Sequence, residues 1–256
     1  MIVRRLTWAG LEVHTPAATA VVDLLGGIPS LSQYAGDPRE ELLAPAAPAG
    51  TLAAAAVTHL HSDHFDVEAL RGALSPGAPV LCPTATVAQV AEQGLGARGV
   101  ELWETVTVDG LQFTAVPAVD GFGSAQVSWV VSDGETRLIH CGDTLWHGYW
   151  WEIAERCGPF DLAFLPINAA VAEFDYLQPP TGLPAVLSPE QAAAAAEVLG
   201  ARRAVPIHYG TFHKPPLYIA TPDATTAFAI AAQRRGVATR MLQAGDEVDL
   251  APVTAP

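Results

Sequence analysis

The sequence predicts an α/β protein of layered sheets with helices outside, in one domain spanning residues 1–256. Three observations predict it. Short apolar segments come first in runs and later alternate with helical segments, the pattern of sheets covered by helices. Half of the 256 residues are apolar and 16% are charged, which is enough to bury a substantial core. No repeat of short fixed period runs through the chain.

Taken in order, residues 2–8 and 11–22 read as a hairpin turning at Ala9-Gly10, with the second strand ending at the acid Asp23. Residues 24–50 carry Gly26-Gly27, several prolines and the polar patch Asp37 to Glu41. A loop of that length is usually functional or mobile, so it reads either as a lid or as a surface excursion. Leu52 to Val57 is an apolar strand, after which Asp66 caps a helix. Pro79 to Cys82 is a short strand and Thr84 to Glu92 a helix ending at Gly94. Strands follow at Glu101 to Thr107, Leu111 to Val116, Val127 to Ser132 and Thr136 to Cys141, the last two joined by the hairpin signal Asp133-Gly134. Trp150 to Cys157 reads as a helix and Leu162 to Ile167 as a buried strand. Pro189 to Leu199 is a helix stopped by Gly200. Ala204 to Ile207 is a strand and 222–235 the last helix, and Met241-Leu242 and Val248 to Leu250 close the sheet.

Composition excludes several classes. A net charge of −14 with 13 Lys and Arg argues against a nucleic-acid partner and leaves at most a locally basic groove. No stretch of about 18 apolar residues offers a membrane span. Cys82, Cys141 and Cys157 are odd in number and unpaired in spacing, so no disulfide framework is expected. Arg4 and Arg5 lead into alternating residues with no apolar signal-peptide core. A reducing, cytoplasmic compartment is the default expectation, with a small-molecule substrate as partner and homo-oligomerisation left open.

The chemistry concentrates in Thr58-His59-Leu60-His61-Ser62-Asp63-His64, directly after the apolar run. In extended chain, residues two apart project to one side, so His59 and His61 can converge on one ion. Asp63 and His64 follow where the chain turns and can face a second. Imidazole and carboxylate without thiolate suit zinc, manganese or iron and leave room for water. A lone histidine such as His14 is more often a surface or core residue. Four donors in six positions would leave several buried groups unsatisfied without an ion. Further ionisable residues close other apolar strands: Asp143 after Cys141-Gly142, His208 after Val205-Pro206-Ile207, and Asp120 after Val116.

Together, His-x-His-x-Asp-His, Gly142-Asp143-Thr144 and Pro206-Ile207-His208-Tyr209-Gly210 resemble the signature of the metallo-β-lactamase-fold hydrolases. Ser188-Pro189-Glu190-Gln191-Ala192 followed by Val205 to Gly210 is similar to the lactonase-like branch that contains ascorbate-6-phosphate lactonase. The resemblance spans Leu6 to Val248 and is specific for fold and metal site rather than for substrate. It implies an αββα sandwich of two mixed sheets with a dinuclear site at one edge, zinc being the expected metal. His59 and His61 would hold metal one, Asp63, His64 and His208 metal two, and Asp143 would bridge. The family's third metal-one histidine is absent, and Asp120 stands in its place. Either Asp120 ligates, giving an oxygen-rich site that shifts preference toward manganese or iron, or metal one is weak or absent. Ligand chemistry favours the first.

The function expected is a metal-dependent hydrolase in which bridged cations lower the pKa of a water toward ~7, the resulting hydroxide cleaving a small ester, lactone or amide-like substrate. Asp63 would orient that hydroxide, and His147 and His213 are the candidates for protonating the leaving group. Phe122, Trp146, Tyr149, Trp150 and Tyr209 lie beside the motif loops and read as rim aromatics, although aromatics at helical spacing are more often core. Asn168 ends a strand and could supply an amide. Lys214 is the one evident cation for a phosphorylated substrate. The competing readings are a phosphodiesterase, and a non-hydrolytic biosynthetic or metabolite-binding protein altered at metal one.

Overall fold

A computed structural model describes residues 1–27 and 31–250. The first sheet opens with three antiparallel neighbours, Ile2–Arg5 (β1), Leu11–His14 (β2) and Thr19–Val22 (β3). It continues in parallel through Ala54–Ala56 (β4), Val80–Pro83 (β5) and Ala97–Val100 (β6). The second sheet is antiparallel through Thr105–Val108 (β7), Leu111–Pro117 (β8), Val127–Ser132 (β9) and Arg137–His140 (β10). Leu162–Pro166 (β11) then adds in parallel. Val171–Ala172 (β12) leaves that sheet, Ala204–Ile207 (β13) returns to it in parallel, and Tyr218–Ile219 (β14) pairs with β12 as a separate ribbon. Glu247–Asp249 (β15) closes the first sheet against β1.

Alternation along the strands sorts the core into three layers. Ala20 and Val22 of β3 face the space between the sheets with Phe113, Trp129 and Phe164 of the second sheet. Val21 faces the other way, with Leu70 of helix Val67–Ala73 and Val90 of helix Val87–Glu92. On the far side, Val130, Ile139 and Leu165 pack under helices Trp150–Cys157, Pro189–Val198 and Ala224–Arg234. The result is the expected αββα sandwich. The second of these outer helices is set by Ser188, whose hydroxyl accepts from Gln191 N while the Gln191 side chain accepts from Ser188 N.

Several boundaries differ from expectation. Residues 11–22 break into two strands because Thr15 and Ala18 form a turn closed by mutual hydrogen bonds. Residues 101–104 are a turn, so the seventh strand starts only at Thr105, and the strand at 97–100 was not anticipated. Met241-Leu242 pairs with no strand among the described residues. The loop at 24–50 contains a short helix, Ser32–Ala35, and is tied down along its second half. Thr7 Oγ1 donates to Glu41 O, Glu12 accepts from Ala46 N and Ala47 N, and Arg39 N donates to Thr211 O. Residues 28–30 of that loop lie outside the described residues.

Candidate metal centre

Each candidate ligand follows the C-terminal end of a strand of one of the two packed sheets, where the chain leaves the ladder and its side chains are free to converge. Beyond β4 come His59, His61, Asp63 and His64; beyond β8, Asp120; beyond β10, Asp143; beyond β13, His208. Gly142 permits the third approach: a Cβ there would sit 3.0 Å from Thr58 Oγ1, and its φ of +60° disfavours other residues. His208 itself has φ +57°, a left-handed conformation that strains a non-glycine residue and persists where surrounding contacts over-determine it. The indole of Trp8, 3.9 Å from the His208 ring between centroids, is one such contact.

Two groups of donors result. His59, His61, Asp120 and Asp143 form one, and Asp63, His64 and His208 the other, with ligand atoms in each within 4.8 Å of one another. In the first, His59 Nε2 lies 2.8 Å from His61 Nδ1 and 3.5 Å from Asp143 Oδ1, and His61 Nδ1 lies 3.7 Å from Asp120 Oδ1. In the second, Asp63 Oδ2 lies 3.5 Å from His64 Nε2 and 3.6 Å from His208 Nε2. Asp143 Oδ2 is 4.0 Å from both of those nitrogens. Asp143 therefore turns one oxygen to each group. Tetrahedral ligation with bonds of about 2.0–2.1 Å sets neighbouring donors about 3.3 Å apart, close to most of these spacings.

The outer partners hold each donor atom toward the centre. Asp23, buried and at φ +51°, accepts from Thr58 N, Thr58 Oγ1 and, at 2.8 Å, His64 Nδ1. His208 Nδ1 lies 3.2 Å from Asn168 Oδ1. Asp120 Oδ2 accepts from Phe122 N and Ser124 N, which leaves Oδ1 aimed at His61. His64 Nε2, His208 Nε2 and Asp120 Oδ1 are buried and have no hydrogen-bond partner among the described residues. Buried polar atoms without partners are uncommon, and three of them converging among further donors fit a bound cation. The residues thus fit a pair of divalent metals.

The electrostatics agree. Burial opposes charge on His64, yet Asp63, Asp23 and Asp143 outweigh it and push its pKa up to about 10. Burial likewise opposes ionisation of Asp143, but His59, His64 and His208 hold its carboxyl well below the usual range. The site is a buried anionic cup that demands positive charge.

A cavity of about 150 Å³ opens over Asp63, Asp143, His61 and His208. Its walls are Trp8, Tyr34, Phe122, Phe174, Tyr176, Phe212 and Tyr218, with no lysine or arginine. Phe122 is where the sequence puts it. Four other expected rim aromatics are not. Trp150 is fully buried under the second sheet, Trp146 and Tyr149 lie half-exposed around it, and Tyr209 stacks with Arg5 in a different hollow. The helix starting at Trp150 carries Trp150, with Trp146 and Tyr149 just before it, to the outer face. Asn168 lies behind His208 and does not line the cavity. Neither candidate acid lines it: His147 stacks on Trp150, where burial lowers its pKa to about 4, and His213 Nδ1 accepts from Ala220 N. Lys214 is engaged with Ser32 O and Gln33 O. Reasoning from sequence missed Asp23, Trp8, Gln126 and Tyr218. Asp23 had a signal, an acid ending an apolar strand. Gln126, its amide turned, donates to Asp143 Oδ1 and accepts from Thr144 N. A second cavity of about 590 Å³, lined by Arg4, Glu12 and His14 among others, holds none of the ligands.

The description "Beta-lactamase superfamily domain" matches residues 28–209. The chain belongs to the metallo-β-lactamase superfamily, and with its relatives it is a metal-dependent hydrolase. A UPF0173 metal-dependent hydrolase of Rubrobacter xylanophilus is 34% identical over 187 residues, 68% of this chain and 69% of the relative. One from Thermus thermophilus is 34% identical over 203 residues, 76% of this chain and 79% of the relative. Igni18, a metallo hydrolase of the archaeon Ignicoccus hospitalis, shares the fold with a TM-score of 0.68 at 19% identity, over 96% of this chain and 97% of that one.

Proposed function

We propose that the protein hydrolyses a small, uncharged ester, lactone or amide-like substrate with an apolar substituent, using two divalent cations held by His59, His61, Asp120, Asp143, Asp63, His64 and His208. One observation carries the reading: two donor groups, with Asp143 in the first and 4.0 Å from two nitrogens of the second, lie under an aromatic cavity lined by no lysine or arginine among the described residues. Bound there, the cations supply a nucleophile from water at neutral pH and Lewis acidity toward a substrate oxygen. The chain's own residues do the rest. Asp63, whose Oδ2 accepts from Trp8 Nε1 at 3.1 Å, is held where it can take up and orient a water proton. Phe122, Phe174 and Tyr34 desolvate the substrate's apolar part. Zinc is the metal expected, and the carboxylate Asp120 broadens the site toward manganese or iron. With Lys214 committed elsewhere, no cationic side chain among the described residues lining the cavity would add to the two cations in holding a phosphorylated ligand. The lactonase-like placement rests on the Ser188 to Ala192 and Val205 to Gly210 motifs, and the single domain on a core drawn from both sheets.

The test is turnover of lactone, ester, amide and phosphodiester panels by metal-loaded protein, with Asp63→Ala as blank. Metal-dependent cleavage of carboxylic esters or lactones is expected. Phosphodiester cleavage alone, or no turnover, would overturn the reading.

A further inference from the structure

We propose that the Tyr218 hydroxyl donates a hydrogen bond to a carbonyl oxygen of the substrate and holds it over the donor groups. The inference rests on the hydrolase reading above and names a residue that the reading lacks. Tyr218 is 8% exposed and lines the same cavity as Asp63, Asp143 and His208. It is held firmly: Lys214 and Tyr218 exchange backbone hydrogen bonds of 2.8 and 2.9 Å, and β14 pairs with β12.

The direction of its hydrogen bond follows from its neighbours. The backbone N–H of Ala170 can only donate, and it points at Asn168 Oδ1 at 3.4 Å. His208 Nδ1 lies 3.2 Å from the same oxygen and donates to it in the tautomer that leaves Nε2 free for an ion. The Asn168 amide is thereby oriented, and its Nδ2, a donor without lone pairs to offer, faces the Tyr218 oxygen at 2.9 Å. Tyr218 must accept there, so its own proton is free for another partner. Among the described residues no acceptor takes it. The other side-chain hydroxyls and the indole around the cavity are committed or at the rim: Trp8 Nε1 goes to Asp63, Ser62 is exposed, and Tyr34 and Tyr176 are 37% and 66% exposed. Burial and then the nearby carboxylates push the Tyr218 pKa well above 10, so the phenol keeps its proton. It polarises and positions an oxygen, and makes or breaks no covalent bond.

Tyr218→Phe removes the hydroxyl and keeps the ring. With zinc-loaded protein and p-nitrophenyl butyrate, kcat is expected to fall about 10²–10³-fold with KM changed less than about threefold and zinc stoichiometry unchanged. The second readout needs no turnover. The infrared carbonyl stretch of ¹³C-labelled acetophenone bound to metal-free protein should lie lower in wild type than in Tyr218→Phe. An equal kcat, an equal stretch, or no acetophenone binding to wild type would overturn the proposal. If wild type leaves the ester intact, the ester reading fails by itself and the infrared comparison alone decides Tyr218.

Discussion

The two donor groups differ in what holds them. Asp63, His64 and His208 are backed by side chains that are themselves buried at strand ends: Asp23 behind His64, Asn168 behind His208, and the Trp8 indole on Asp63. His59, His61 and Asp120 include one residue on the rim. The His61 side chain is 27% exposed and its Nε2 meets the hydroxyl of Ser124, while Asp120 depends on backbone N–H groups of its own loop. A group backed by the sheets is preorganised, and one backed by a loop must be ordered when the ion arrives. The second group should therefore hold its ion more tightly.

Three substitutions would break or sharpen that contrast. Asp143 alone faces both groups, so Asp143→Ala should have the largest effect, dropping zinc from two ions per chain toward none by elemental analysis; retention of both would remove its bridging role. Asp120→Ala should release one ion and leave the other, since only the loop-backed group loses a donor. Unchanged stoichiometry and affinity would mean that Asp120 is no ligand. Asp23→Asn should weaken the second ion more than the first, by about 10–100-fold in a competition titration, because a neutral amide oxygen accepts the His64 Nδ1 hydrogen bond more weakly than a carboxylate. Equal loss at both ions would show that Asp23 acts through the fold rather than through His64.

The parts of this centre that were legible in the sequence are those where chain order coincides with spatial order. His59 to His64 converge because they are neighbours at one strand end, and Asp143 and His208 were visible as polar residues closing apolar strands. Asp120 was legible by the same rule. The cavity was not. Tyr34, Phe174, Tyr176 and Tyr218 come from a short helix, a loop and a two-residue strand whose mutual positions depend on tertiary packing, such as the ring contacts between Tyr34 and Phe174 and between Phe122 and Phe174. Conversely, Trp146, Tyr149 and Trp150 follow the Gly-Asp-Thr motif closely, but helix periodicity turns Trp150 into the outer core. Proximity to a motif in sequence is a poor guide once a helix intervenes. The fold was easier to read, because alternating apolar residues mark strands directly, whereas strands as short as Val171–Ala172 carry no period to detect.

The smallest effect expected concerns the metal-free protein. Its His64 pKa is raised from 6.5 to about 10 by carboxylates that outweigh burial. A raised pKa means that the folded state binds the proton more tightly than the unfolded chain. The stabilisation is fully present below about 6.5 and is lost as pH rises toward and through about 10. The thermal midpoint of metal-free protein should therefore fall between pH 7 and 10, and the fall should be shallower in Asp23→Asn, which has lost one of the carboxylates that hold the proton. Zinc should abolish the His64 contribution, since the ion takes the place of the proton on Nε2 and His64 no longer titrates in that range. A slope identical in metal-free and zinc-loaded protein would mean that His64 is not the cation of the empty second group, and that the contrast between the two groups lies in their loops alone.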